Sequence, residues 1–67
     1  MIITLNNTKT ELDQTSLSIA ELIELKNYTF KMLVVKLNGQ LVRKEQYIDT
    51  MVNDGDTVNI LHLISGG

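Results

Sequence analysis

Hydrophobic and polar positions alternate at the start of the chain: Met1, Ile3 and Leu5 fall on one side of an extended backbone, Ile2 and Thr4 on the other. This predicts a first strand with one face turned to a core. Residues 6–9 supply turn formers, and residues 10–13 resume as a short polar strand with Leu12 inward, so the two make a hairpin whose second arm is an edge. The period then changes. Ile19, Leu22 and Ile23 recur at helical spacing beside Ala20, with Leu25 at the margin, and predict a helix over 19–26 that lays one face on a sheet. Its start is marked twice, by a capping box between Ser18 and Glu21 and by a hydrophobic staple between Leu17 and Leu22. Asn27 is a plausible exit because asparagine accepts a left-handed backbone. Phe30 is expected as a core plug.

Residues 32–37 return to the strand period, with Leu33, Val35 and Leu37 on one face and Met32, Val34 and Lys36 on the other. Asn38-Gly39 follows, a pair that accepts the two positive φ angles of a type I′ turn, and residues 40–43 come back antiparallel as a short edge closed by Arg43, Lys44 and Glu45. Residues 46–52 have no clean period; a short helical turn there would set Tyr47, Ile48 and Val52 against the sheet border. A tight turn over 53–56, with Gly55 in a left-handed conformation, leads into a last strand from Thr57. Val58, Ile60, His62 and Ile64 line one side of it, Thr57, Asn59, Leu61 and Leu63 the other, so apolar groups stand on both faces near its end. Such a strand belongs in the middle of a sheet. The order of hairpin, helix, hairpin, irregular turn and strand predicts an α+β fold, a mixed sheet of four to five strands with one main helix packed on one face. Placing the last strand beside the first satisfies both of its edges and gives the β-grasp, ubiquitin-like arrangement. Other small α+β sheets, including a ferredoxin-like half lacking one helix, fit the same periodicities.

Composition narrows the function more than the fold. Sixty-seven residues supply one domain, over 1–67, with a small core and no room for a deep two-lobed cleft. An apolar fraction of 43% argues against disorder. The net charge of -2, without a basic run, makes nucleic acid a poor partner. No segment approaches membrane-spanning length and the start lacks the form of a signal peptide, so a cytoplasmic location is expected. The absence of cysteine removes disulfides, zinc thiolates and thiol chemistry on the chain's own side chains.

Catalytic groups are equally scarce. His62 is the sole histidine and has no alternating carboxylate or cysteine to form a metal constellation, so it is expected to be a packed or border residue. Glu11 with Asp13, and Asp54 with Asp56, lie on an edge strand and in a turn, where solvated structural roles outweigh acid-base work. No glycine-rich phosphate loop is present, and no serine has a visible His and carboxylate partner. These absences describe a protein handled by enzymes.

Two features suit that role. If the helix covers one face of the sheet, Leu61 and Leu63, with Val34 or Met32, remain on the other as an apolar patch fitted to a partner. Beyond them, residues 65–67 form an expected flexible tail in which Gly66 and Gly67 have no Cβ and can thread a narrow opening. A frayed end has the same composition.

Taken whole, the chain resembles the small sulfur-carrier proteins of thiamine biosynthesis, which have the ubiquitin-like β-grasp fold. The resemblance rests on the N-terminal hairpin, the helix opening Ser18-Ile19-Ala20-Glu21-Leu22-Ile23, the run Val35-Lys36-Leu37-Asn38-Gly39, the segment Val42-Arg43-Lys44-Glu45-Gln46-Tyr47, the turn Asp54-Gly55-Asp56-Thr57-Val58, and the ending Ile64-Ser65-Gly66-Gly67. Family members commonly carry proline and arginine after the position of Val42, where this chain has Arg43-Lys44, and often tryptophan at Tyr47. The resemblance implies a carrier, not an enzyme: the Gly67 carboxylate, presented with Gly66, is adenylated by an E1-like partner using ATP with magnesium. It then takes sulfur from a donor such as a cysteine desulfurase and, as a thiocarboxylate, delivers it to thiazole synthase. Leu61, Leu63, Val34 and Ser65 would form the docking surface, with no cofactor or metal bound to the chain itself. The small subunit of molybdopterin synthase and a ubiquitin-like protein modifier are the alternatives.

Overall fold

The computed structural model describes residues 1–28 and 32–63. Strands β1 (Ile2–Leu5) and β2 (Thr8–Glu11) form the first hairpin, paired antiparallel with Leu5 opposite Thr8. Only Asn6 and Asn7 lie between them, both at positive φ (50° and 65°), so the connection is a two-residue turn of the primed kind. The second arm therefore begins two residues earlier than its polar composition predicts. Asparagine tolerates the left-handed backbone, which let the turn tighten.

A short strand β3 (Ser16–Ser18) leads into helix α1 (Ile19–Leu25). The capping box forms as expected: the Glu21 N–H donates to Ser18 Oγ at 3.1 Å, and the Ser18 N–H donates to Glu21 Oε1 at 2.9 Å. At the other end Asn27 takes φ 56°, the Tyr28 N–H donates to the Ile23 carbonyl at 3.0 Å, and the Asn27 N–H donates to the Glu24 carbonyl at 3.1 Å. That pair of bonds is a Schellman closure, which satisfies carbonyls a helix end otherwise leaves open. Phe30, the expected core plug, lies outside the described residues.

Strands β4 (Leu33–Leu37) and β5 (Gln40–Val42) make the second hairpin, with Asn38 and Gly39 at φ 50° and 84° as the type I′ turn requires. A single 3-10 turn (Lys44–Gln46) and a short strand β6 (Met51–Asn53) follow, then β7 (Thr57–His62). The main sheet has the order β2-β1-β7-β4-β5, with β7 parallel to β1 and antiparallel to β4. The last strand thus occupies the centre, as its two-sided apolar content predicts.

The segment 46–52 departs from expectation. Its helical turn sits earlier, at Lys44–Gln46, and its end is extended: β6 pairs with β3 in a separate two-stranded sheet, Leu17 opposite Val52. In β6 the buried Val52 stands between two exposed residues, and in β3 both Leu17 and Ser18 are buried, so three residues are too few to display a period. Val52 and Tyr47 do pack on the core, whereas Ile48, expected beside them, is 73% exposed and stands outside the core cluster.

The covered face of the sheet meets α1 in one cluster, in which Ile3, Val35, Val58 and Ile60 from the strands join Leu17, Ile19, Leu22 and Val52. Each fully buried aliphatic side chain there contributes about 1.5–3 kcal/mol by leaving water, so this layer carries most of a small domain's stability.

Candidate functional site

The site is assembled around the two faces of β7. Val58 and Ile60 point into the core, which fixes the strand's rotation and forces the alternate residues to the opposite face. Leu61 and Leu63 emerge there, 59% and 51% exposed. β4 supplies the adjoining surface: Val34 stands opposite Leu61 in the register, and the Leu63 N–H donates to the Met32 carbonyl at 2.9 Å, which carries the antiparallel ladder past the end of both strands. Val34 is half-buried and Met32 exposed. The expected apolar patch is therefore assembled on the uncovered face of the sheet, beside the last residues of β7.

Sequence reasoning missed its surroundings. Leu41, 60% exposed, stands opposite Lys36 in the β4–β5 register and so shares a face with Lys36 and Val34, extending the apolar surface across the sheet. Asn6, Asn7, Lys36 and Asn59 give a shallow groove polar walls around a floor of Val34 and Leu61. Cross-strand register decides these neighbours, and register comes from pairing, not from the period of any single strand.

Asn6 also has a second task. β1 ends at Leu5, and the parallel ladder to β7 closes with the Asn6 N–H donating to the Val58 carbonyl at 2.9 Å. The Asn6 side chain then takes over: its Oδ1 accepts the Ile60 N–H at 2.7 Å and its Nδ2 donates to the Ile60 carbonyl at 3.0 Å. One primary amide thus stands in for a peptide group of the missing strand, and β7 stays paired on both edges up to Ile60.

The opposite end of β7 is fastened by the turn before it. Asp54 Oδ1 accepts the Ile2 N–H at 2.7 Å, and Asp56 Oδ2 accepts the Asn53 N–H at 2.8 Å. Asp56 Oδ1 accepts from Asn38 Nδ2 at 3.2 Å, while Asn38 Oδ1 accepts the Thr57 N–H at 2.9 Å. The Asp54 and Asp56 pair is thus committed to backbone and turn, not poised for acid-base chemistry. His62 is exposed at the end of β7, opposite Leu33. Among the described residues no group of three or more His, Cys, Asp or Glu side chains gathers to hold a metal. Ser65, Gly66 and Gly67, the sequence's candidates for the docking rim and the reacting end, lie outside the described residues, as does the whole proposed tail.

Known proteins share this fold. A family model described as the ThiS family matches residues 3–67. The crystal structure of a thiamine biosynthesis protein (ThiS) from Geobacter metallireducens is similar over 100% of both chains, with 35% identity and a TM-score of 0.87. The NMR solution structure of a thiamine biosynthesis protein from the same organism is similar over 100% of this chain and 88% of the other, with 35% identity and a TM-score of 0.79. No curated protein matches the chain by sequence.

Proposed function

This chain belongs to the ThiS family, and from that membership we propose a cycle of sulfur transfer in which Gly67 is the reacting residue. The family role is that of a sulfur carrier in thiamine biosynthesis, and the chain is a protein substrate of enzymes, not an enzyme. The observation that supports the cycle best is the exposed pair Leu61 and Leu63, at the end of β7 on the sheet face opposite α1, a few residues before the two terminal glycines.

A carboxylate is a poor electrophile because its charge is delocalised and oxide is a poor leaving group. In the cycle, an oxygen of the Gly67 carboxylate attacks the α-phosphorus of ATP on an E1-like enzyme, with magnesium shielding the phosphates. The α–β phosphoanhydride bond breaks, pyrophosphate leaves, and an acyl adenylate remains. The terminal sulfur of a persulfide, supplied by a donor such as a cysteine desulfurase, attacks the acyl carbon and expels AMP. A thiol then cleaves the acyl disulfide by exchange and leaves the thiocarboxylate. Thiazole synthase consumes that sulfur in building the thiazole ring. The chain's own contribution is presentation: Gly66 and Gly67 enter a narrow site, while Leu61, Leu63, Val34 and Ser65 dock against the enzyme that encloses them. Such a cycle belongs in the cytoplasm, where ATP and reducing thiols are abundant.

The test is intact-protein mass after incubation with ATP, a sulfur source and the adenylating enzyme, beside the same chain lacking Gly67. The expected result is replacement of one oxygen by sulfur, traced to the C-terminal peptide and confined to the intact chain. An isopeptide bond from Gly67 to a lysine of another protein would instead identify a modifier. A stable complex with the large molybdopterin-synthase subunit would place the chain in that pathway.

A further inference from the structure

We propose that Asn38 is a spontaneous modification site held unreactive by its two side-chain hydrogen bonds, one to the first residue of β7 and one to the turn before it. Asparagine followed by glycine is the dipeptide most open to deamidation, because a glycine N–H meets no side-chain obstruction as it approaches the asparagine side chain. In that reaction the Gly39 backbone nitrogen attacks Asn38 Cγ, the Cγ–Nδ2 bond breaks, and ammonia leaves with the proton from Gly39. Water then opens the resulting five-membered succinimide to aspartate or isoaspartate. No oxidant, reductant or enzyme is required.

Asn38 and Gly39 are both exposed, so water reaches the turn, and nothing lies within 4 Å of the place a side chain on Gly39 would take. The restraint lies in the amide itself. Oδ1 accepts the Thr57 N–H at 2.9 Å and Nδ2 donates to Asp56 Oδ1 at 3.2 Å, so both ends of the Asn38 amide are tied to another segment of the chain. The Asn38 N–H is tied there as well, donating to the Thr57 carbonyl at 2.7 Å. Attack and loss of Nδ2 need the amide free to move, and both hydrogen bonds hold it to the other segment. The comparable dipeptide Asp54-Gly55 is protected differently, since the Gly55 nitrogen itself donates to the Ile2 carbonyl at 2.8 Å.

The product cannot rebuild this clamp. An aspartate at 38 would place a carboxylate oxygen where Nδ2 now donates to Asp56, setting two like charges in contact. Isoaspartate would add a methylene to the backbone of a turn whose geometry allows only two residues between β4 and β5. Once reacted, the site is left open, so loss of ammonia at Asn38 marks a chain whose β4–β5 turn has come away from the start of β7.

The experiment follows ammonia loss at Asn38 by peptide mapping of the full chain at neutral pH and body temperature, for folded wild type, wild type in urea, and folded Asp56→Ala. It does not depend on sulfur transfer. Wild type should react about tenfold more slowly folded than in urea, and Asp56→Ala should recover much of that rate while its Val35 and Val58 amides stay protected from exchange. Equal rates in folded and unfolded wild type would overturn the proposal, as would no acceleration in a folded Asp56→Ala. Should that variant not fold, Asp56→Ser, a shorter side chain in the same turn, answers the same question.

Discussion

Asn6 and Ile60 are 54 positions apart in the chain and are joined by two hydrogen bonds, both through the Asn6 side-chain amide, at 2.7 Å and 3.0 Å. The asparagine is thus a turn residue and a rung of the central sheet at once. Asn6→Gly keeps the positive φ and removes only the rung, leaving two partly buried backbone groups of Ile60 without a partner. Urea unfolding should show a loss of about 1–3 kcal/mol, and exchange of the Ile60 amide should accelerate more than that of Val58. An unchanged midpoint would mean that water replaces the amide at no cost.

Leu61 and Leu22 separate docking from folding. Leu61→Ser should leave stability within about 0.5 kcal/mol of wild type and raise the KM for the chain in the adenylation reaction. Leu22→Ala empties the centre of the covered face and should cost about 2–5 kcal/mol, a large part of what a domain of this size has. Thermal melts with a rate assay distinguish the two, and an unfolded Leu61→Ser would refute its place on the surface.

Ser18 begins both the helix and the end of the small sheet. Ser18→Ala should lose about 1 kcal/mol, measured by urea unfolding, and Glu21→Gln should lose less because its side chain still accepts from the Ser18 N–H.

Burial raises the Tyr47 phenol above its ordinary value of 10.0, since ionisation would strand a charge against the core border. The sign follows from linkage. Between pH 10 and the higher folded value the unfolded chain has released a proton that the folded chain retains, so the contribution is complete below pH 10 and is lost as pH rises through the folded pKa. Melting temperature should fall over that alkaline range, and less steeply in Tyr47→Phe. Parallel slopes in the two proteins would assign the fall to other groups.

Where the sequence was legible, a local pattern and its tertiary use agreed. Ser18 and Glu21 state a capping box in four residues, Asn38-Gly39 states a turn in two, and β7 shows apolar groups on both sides because it is paired on both edges and packed on one face. The exposed positions of Leu61 and Leu63 followed from that alternation together with a single helix on the other face. What stayed hidden depends on distant partners. β3 and β6 are three residues each and become strands only by meeting one another, and nothing near Asn6 in sequence announces that its amide will bond to Ile60. Leu41 is similar: its place on the open face follows from standing opposite Lys36.

The parallel placement of β7 against β1 has a mechanical side. Hydrogen bonds of a sheet run across its strands, so tension applied along β7 from its C-terminal end loads its rungs to β1 and β4 together, in shear, instead of peeling them one at a time. The Asn6 amide adds its two bonds on the β1 edge near the end that is pulled. A pull on the end of this chain is therefore shared by the rungs on both edges of β7.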